Sequence, residues 1–224
     1  MVDTILFDLD GTLLPIIQDP FVKAYFGALC RRICPFGYDK DEVVKSIWAG
    51  TAAMYENDGS RTNREAFWEV FGRPHLEEIL DDFYAKEFDD VRGVLVSKVD
   101  RGPFIRALKQ KGFSLILATN PVFPAVAVKT RLAWIGLVPE DFELVTDYAN
   151  SRYCKPAAGY FKDILGERDP ARCVMVGNSP VEDMAAAHLG MDAILVTDCL
   201  EGEPVGDGYR SMTFAEMEQE LLAL

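Results

Sequence analysis

Short apolar segments alternate along most of the chain with longer segments in which apolar residues recur at helical spacing. The first apolar segment, residues 4–7, ends at Asp8 and is followed by Gly11 and Thr12, which is typical of a buried strand that runs into a turn. Further strand-like segments lie at 114–118, 142–146, 173–176 and 193–196. Helical periodicity is found at 101–111, 122–135, 157–165 and 181–189. This alternation predicts an α/β fold, a parallel sheet with helices on both faces.

Residues 16–93 interrupt the alternation, because they contain helix-like segments and no convincing strand. The helix-like segments are 21–34, 40–55, 64–71 and 76–88. We therefore predict an α/β core domain formed by residues 1–15 and 94–224, with an all-helical domain inserted at 16–93. At the end of the chain, Thr213 is followed three residues later by Glu216, which predicts a capped amphipathic helix.

Composition narrows the class of protein. The 224 residues are 49% hydrophobic and 26% charged, enough to bury one good core and a smaller second one. The net charge of −13 argues against a nucleic-acid partner, because such binding depends on clustered lysine and arginine. No apolar run reaches the ~18 residues of a membrane span, and no positively charged signal region opens the sequence, so we expect a cytoplasmic protein with no membrane association. The five cysteines include no C-x-x-C pair, and we expect reduced, mostly buried thiols.

Two carboxylates follow the first strand, Asp8 and Asp10, with one residue between them. Residues two apart at a strand end project in roughly the same direction. They would lie at the carboxyl edge of the sheet, where open α/β folds bind ligands. The pair alone also allows the simpler interpretation of turn aspartates that cap backbone amides.

Four motifs in order resemble those of the haloacid dehalogenase-like hydrolase superfamily. The first is DLDGTL at residues 8–13, the second is Thr119-Asn120 after the second predicted strand, the third is Lys155-Pro156, and the fourth is GNSPVED at residues 177–183. The resemblance spans the whole predicted sheet domain. It is closest to phosphatases that carry an α-helical cap between the first and second motifs, and it implies a Rossmann-like core with a small cap domain.

The resemblance implies roles for individual residues. Asp8 would be the nucleophile that forms an aspartyl-phosphate, and Asp10 would be the general acid and base. Lys155 would hold both the Asp8 carboxylate and a phosphate oxygen. Thr119, Asn120 and Gly11 would complete the phosphate-binding site.

Magnesium is the cofactor that the resemblance implies, with Asp8, Asp183, Asn178 and the backbone carbonyl of Asp10 as ligands. Asn178 departs from the commonest pattern, in which an aspartate stands at this position. An amide oxygen can bind the cation but brings no charge, so we predict weaker magnesium binding than in a relative with aspartate. Glu182 is expected to be a solvated carboxylate at the start of a helix.

The inserted helical segment resembles a cap that closes over the sheet edge and selects the leaving group. Such a cap implies a small phosphorylated metabolite as substrate. We expect the protein to be a monomer or a homodimer. We expect most aromatic residues of this segment to be core, and Arg61, Arg64 and Arg73 to be solvated. His75 and His188 lie too far from the motifs to form a histidine site.

Several alternatives remain open at the level of sequence. A phosphomutase of the same fold would pass the phosphoryl group to another hydroxyl rather than to water. A catalytically silent binding or regulatory domain would keep the fold, and Asn178 is the feature that favours it. A dehalogenase does not call for the acid/base Asp10, and a phosphonate hydrolase would need a reactive amine in the cap, for which nothing recommends Lys40 or Lys45.

Overall fold

A computed structural model describes residues 2–204 and 206–224. At its centre, the described residues form a six-stranded sheet in the order β3-β2-β1-β4-β5-β6, and every neighbouring pair is parallel. The strands are β1 Thr4–Phe7, β2 Ser114–Leu117, β3 Leu144–Val145, β4 Cys173–Gly177, β5 Asp192–Val196 and β6 Arg210–Met212. The predicted α/β fold with a Rossmann-like parallel sheet is confirmed.

Helices cover both faces of the sheet, and the central strand β1 therefore buries side chains on both sides. Ile5 and Phe7 pack with α5 (Gly102–Gln110), α6 (Ala125–Ala133) and α8 (Phe214–Ala223). Leu6, which points to the other face, packs with α7 (Ala158–Leu165). A strand that buries its side chains on both faces is therefore required at the centre of the fold.

Two sequence expectations differ from the structure. The edge strand β6 was not predicted, because Arg210–Met212 is short, exposed and largely polar, and it forms only by pairing with β5. The helix predicted at 181–189 is wrong, because only the 3-10 helix Met184–Leu189 forms there. The chain before it is held in a tight turn, in which the Asp183 carboxylate accepts a hydrogen bond from the Ser179 amide at 2.9 Å.

The segment between β1 and α5 is helical, as predicted. It contains α1 Gln18–Ile33, α2 Lys40–Tyr55, α3 Asn63–Phe71 and α4 Glu77–Lys86, with 3-10 turns at Cys34–Phe36, Pro74–Leu76 and Phe88–Val94. We call α1–α4 the helical segment. Its two connections to the sheet lie together, because the Val96 amide donates to the Pro15 carbonyl at 2.9 Å. Its assignment as a domain with boundaries at 16 and 93 stays a prediction.

The helical segment is fastened to the sheet domain at the start of α3. The backbone amides of Asn63 and Arg64 donate to the carbonyls of Ser151 and Tyr148, at 2.8 and 2.6 Å. The Asn63 side chain is fully buried and donates to the Pro121 carbonyl at 3.2 Å. The otherwise unpaired amides of a helix N-terminus are thus used to hold the segment above the carboxyl edge of the sheet.

All five cysteines are free thiols, and every one except the half-buried Cys34 is buried, which confirms that expectation. Burial raises the pKa of the Cys154 thiol to about 12, so this thiol is protonated and unreactive near neutral pH. Within the described residues, no helix combines the length and the apolar character needed to cross a membrane.

Candidate active site

The carboxyl ends of three neighbouring strands bring the first, second and fourth motifs together. The Asp8 amide donates to the Val176 carbonyl of β4 at 2.8 Å, and the Ala118 amide donates to the Phe7 carbonyl at 2.7 Å. The strands β2, β1 and β4 therefore end side by side. Asp8, Thr119 and Asn178 all line one cavity of about 70 Å³ at this edge.

Lys155 connects the third motif to the first and the fourth. It lies in the turn before α7, and its Nζ donates to Asp8 Oδ1 at 2.8 Å and to Asp183 Oδ1 at 2.6 Å. All three side chains are buried. Burial alone would lower the pKa of Lys155, but the Asp183 and Asp8 carboxylates raise it well above its ordinary value, so the ammonium stays charged. Burial also raises the pKa of Asp183 to about 7, with Lys155 opposing and Asp8 adding to the rise.

The turn after β1 depends on Gly11. Its φ is +82°, and a Cβ at this position would lie 2.0 Å from Asn178 Nδ2, so any side chain would be strained and would also clash. The Gly11 amide donates to the Leu14 carbonyl at 2.8 Å and is therefore used within the turn. If Gly11 contributes to phosphate binding, it does so by letting the phosphate come close to the backbone, because its amide is already used in this hydrogen bond.

Asn178 is held at both ends of its amide. Its Oδ1 accepts from the Thr12 hydroxyl at 3.3 Å, and its Nδ2 donates to the Cys199 carbonyl at 2.7 Å. The Thr12 hydroxyl also lies 3.2 Å from Asp8 Oδ2. An aspartate at 178 would place an oxygen against the Cys199 carbonyl, which gives a local structural reason for an amide here.

Asp10 has a partner that the sequence analysis missed, Arg131 of α6. The guanidinium of Arg131 is fully buried, forms an ion pair with the Asp10 carboxylate and lies 4.6 Å from the centre of the Phe123 ring. Burial raises the pKa of Asp10 to about 6, although Arg131 acts to lower it. The one signal in the sequence was an arginine on the apolar face of α6, where Ala127, Val128 and Leu132 are buried.

Thr119 and Asn120 occupy the end of β2 in different ways. The Thr119 carbonyl accepts from the hydroxyls of Thr146 and Tyr160, at 2.7 and 3.0 Å, which fixes the strand end. The Asn120 side chain accepts from the Lys155 amide at 3.2 Å and donates to Glu182 at 2.8 Å and to the Tyr55 hydroxyl at 3.1 Å. Asn120 therefore braces the rim of the cavity.

The expectation of a solvated Glu182 is wrong. Its carboxylate accepts from the Tyr55 hydroxyl at 3.1 Å and from Asn120, and it lines the cavity. Burial raises its pKa above the ordinary value. The Tyr55 hydroxyl comes from α2, so these contacts tie the helical segment to the site.

Comparison with known proteins decides the family. The sequence profile of the haloacid dehalogenase-like hydrolases matches residues 2–190. The chain belongs to this family. It is 28% identical over 197 residues to a phosphoglycolate phosphatase of Aquifex aeolicus (strain VF5), covering 85% of this chain and 83% of that protein.

Solved structures share the fold of this haloacid dehalogenase-like hydrolase over nearly their whole length. A HAD phosphatase from Thermococcus onnurineus has a TM-score of 0.61 at 21% identity, with 98% of each chain covered. A 2-haloacid dehalogenase from Pseudomonas syringae pv. Tomato DC3000 has a TM-score of 0.65 at 19% identity, with 100% of this chain and 99% of that chain covered. At these identities the likeness establishes the fold alone.

The magnesium ion implied by the family can be tested against the residues present. Among residues 2–204 and 206–224, no three His, Cys, Asp or Glu side chains form a ready-made cluster, and Asp8 and Asp183 meet on Lys155 instead. The cavity nevertheless offers the oxygen donors that magnesium prefers, and one or two protein carboxylates suffice for this ion.

The charge balance of the cavity also fits a cation. Its carboxylates are Asp8, Asp10, Glu182, Asp183 and Glu201. They outnumber the two cations in contact with them, Lys155 and Arg131. Within the described residues, Asp10 Oδ1 is also buried without a hydrogen-bond partner. A divalent cation would offset this excess of negative charge, so the donor set fits magnesium.

Proposed function

We propose that this haloacid dehalogenase-like hydrolase is a magnesium-dependent phosphatase that cleaves a small phosphate monoester through an aspartyl-phosphate on Asp8. The observation that carries the proposal is the Lys155 ammonium placed between the Asp8 and Asp183 carboxylates, with Asp10 in the same cavity. The phosphatase-named relative supports hydrolysis of a phosphate ester.

In the first step, the Asp8 carboxylate attacks phosphorus and the bond to the leaving oxygen breaks. Asp10 donates its proton to that oxygen. A carboxyl group whose pKa is about 6 is partly protonated near neutral pH, which suits this role. In the second step, Asp10 takes a proton from a water molecule that attacks the phosphoryl group, and Asp8 is released as a carboxylate together with phosphate.

The remaining residues stabilise charge and hold positions. Lys155 orients Asp8 and would neutralise a phosphoryl oxygen, and the Thr119 hydroxyl would donate a hydrogen bond to another. Arg131 fixes the Asp10 side chain through their ion pair. Magnesium, bound by Asp8, Asp183, Asn178 and the Asp10 carbonyl, would supply further charge neutralisation at the phosphoryl oxygens.

The test is release of inorganic phosphate from a panel of phosphorylated metabolites, with magnesium and with a chelator. We expect turnover that requires magnesium and that is abolished in Asp8→Asn, verified free of deamidation. Asp10→Asn should slow turnover by about 10²- to 10⁴-fold, and circular dichroism should show both variants folded. In Asp10→Asn, mass spectrometry of acid-quenched protein should find the phosphoryl group on the peptide that contains Asp8.

The same assay separates the alternatives. A phosphomutase would consume the ester and form an isomer with little free phosphate. A silent domain would release none, with or without metal. Full activity in Asp8→Asn would eliminate the nucleophile assignment.

A further inference from the structure

A second cavity of about 120 Å³ adjoins the catalytic one. It lies between the helical segment and the chain that follows β2. The two cavities share lining residues, so they lie directly side by side. The shared residues are Gln18, Phe21, Tyr55, Val122 and Phe123.

Most residues that line the second cavity are aromatic, and three of its tyrosine hydroxyls are already engaged in hydrogen bonds. The hydroxyls of Tyr25 and Tyr84 bond to each other at 2.7 Å, and the Tyr55 hydroxyl is bound to Glu182 and Asn120. The lining includes one carboxylate, the exposed Asp81. A polar group placed in this cavity would lose its water without gaining a full set of hydrogen bonds.

No lysine, arginine or histidine of the described residues lines this cavity. Three arginines of the helical segment pair with groups outside the cavity lining: Arg61 with Glu69, Arg64 with Glu77, and Arg73 with the hydroxyl of Ser46. Arg131 lies against the Phe123 ring and is paired with Asp10. An anionic group in the cavity would therefore be desolvated with no cationic side chain in the lining to pair with it.

We infer that the substrate is a phosphate ester of an apolar alcohol, with its phosphate at Asp8 and its hydrocarbon body in the aromatic cavity. The cavity volume of about 120 Å³ limits the hydrocarbon body to about one ring, because an apolar protein cavity of about 150 Å³ holds a benzene ring. This inference rests on the proposed phosphatase function and adds the class of leaving group. It sets this chain apart from a phosphoglycolate phosphatase, whose leaving group carries a carboxylate.

The first test compares three esters at saturating magnesium: benzyl phosphate, glucose 6-phosphate and 2-phosphoglycolate. We expect kcat/KM for benzyl phosphate to exceed the other two by about 10-fold or more, because one methylene in an apolar pocket already discriminates by that factor. Phosphate release reports all three, so differences in the detection of the alcohol do not matter.

The second test places a charge in the cavity. Thr51 of α2 lines the cavity and is half-buried, whereas Ala49 of the same helix is exposed and outside the lining. Thr51→Arg should lower kcat/KM for benzyl phosphate by about 10-fold or more and narrow its advantage over 2-phosphoglycolate. Ala49→Arg adds the same charge to the same helix and should leave the ratio unchanged.

The third test measures ligand binding in the cavity independently of catalysis. Trp48 and Trp68 both line it, so saturable binding of benzyl alcohol should change tryptophan fluorescence in the wild-type protein and in Ala49→Arg, but not in Thr51→Arg. Glycolate should produce no saturable change.

The outcomes are distinguishable. Equal or better turnover of 2-phosphoglycolate or glucose 6-phosphate overturns the inferred leaving group while the phosphatase function stands. If no ester is cleaved, the phosphatase function fails, and the fluorescence titration decides the rest. If benzyl alcohol then binds to the wild-type protein and not to Thr51→Arg, the result supports an apolar ligand site in this cavity. If benzyl alcohol does not bind to the wild-type protein, the apolar site is overturned as well.

Discussion

Lys155 holds two carboxylates at once in a buried position, and this arrangement has to be explained by something other than stability. Taking an ammonium and two carboxylates out of water is costly, and apolar residues of similar volume often stabilise a fold as well or better. The ion pairs of Lys155 with Asp8 and Asp183 are 1% to 8% exposed, so solvent repays little of that cost. Such a cluster at the edge of a parallel sheet is typical of a site prepared for a charged ligand.

Arg131 is expected to act through Asp10. Arg131→Gln removes the ion pair that fixes the carboxyl group, and small displacements of a catalytic group lower rates by up to about 100-fold. We expect kcat to fall by about 10- to 100-fold with little change in KM, and Arg131→Lys to recover part of the loss because it keeps the charge but not the planar fork.

A double-mutant cycle tests whether this effect runs through Asp10. Added to Asp10→Asn, Arg131→Gln should change kcat little further, because the group that it positions is already lost. Additive losses would contradict the assignment and indicate a general structural role. Thermal unfolding of each variant controls for the destabilisation of about 3 to 5 kcal/mol that can follow loss of one partner from a buried pair.

Asn178→Asp should destabilise the fold without magnesium and increase the stabilisation that magnesium brings. The new oxygen would face the Cys199 carbonyl, so we expect the free energy of unfolding to fall by about 1 to 3 kcal/mol in chelator. The added charge should strengthen magnesium binding, so the increase in Tm caused by magnesium should be larger than in the wild type. Thermal unfolding over a magnesium series measures both. An unchanged dependence on magnesium, in Tm and in activity, would refute the role of residue 178 at the cation.

At the scale of elements, the turn between β1 and α1 carries the closest packing constraint of the site. Gly11→Ala would combine a positive φ with a 2.0 Å approach to Asn178, whereas Gly112→Ala would meet a similar φ of +92° with nothing within 4 Å. Both should lose about 1 to 3 kcal/mol of stability from backbone strain. Only Gly11→Ala should also displace Asn178 and lose most phosphatase activity, measured beside urea unfolding. Comparable activity in the two variants would mean that the turn does not position the fourth motif.

The elements differ in how far sequence could predict them, for physical reasons. The strands β1, β2, β4 and β5 were predicted because each contains a run of apolar residues, as a strand buried on both faces does. The strand β6 could not be, because its residues are polar and its pairing is tertiary. The motif residues were found through the resemblance to the family. The pairing of Arg131 with Asp10, 121 residues apart, was not found, because it too depends on tertiary structure. The apolar cavity was also missed, since aromatic residues at helical spacing were expected to be core, and several of them line the cavity instead.

At the scale of the whole molecule, a protein with a strongly negative net charge is proposed to bind an anion. The net charge of −13 is spread over 224 residues, and carboxylates also outnumber cations in the catalytic cavity. A phosphate dianion must therefore approach against the long-range field and is attracted only close to Lys155 and the proposed cation.

The long-range repulsion between the protein and its substrate predicts that kcat/KM depends on salt in an unusual direction. Raising ionic strength from about 0.01 to 0.15 M shortens the screening length from about 30 to 8 Å, which weakens the long-range repulsion and leaves contacts within the buried site almost unchanged. We expect kcat/KM for a phosphate ester to rise over this range while kcat stays constant, measured at saturating magnesium so that screening of the cation itself has no effect. An uncharged competitor such as benzyl alcohol should show an inhibition constant that does not vary with salt. A fall in kcat/KM with salt would mean that the field at the entrance is positive, and that the approaching substrate does not experience the excess of acidic residues.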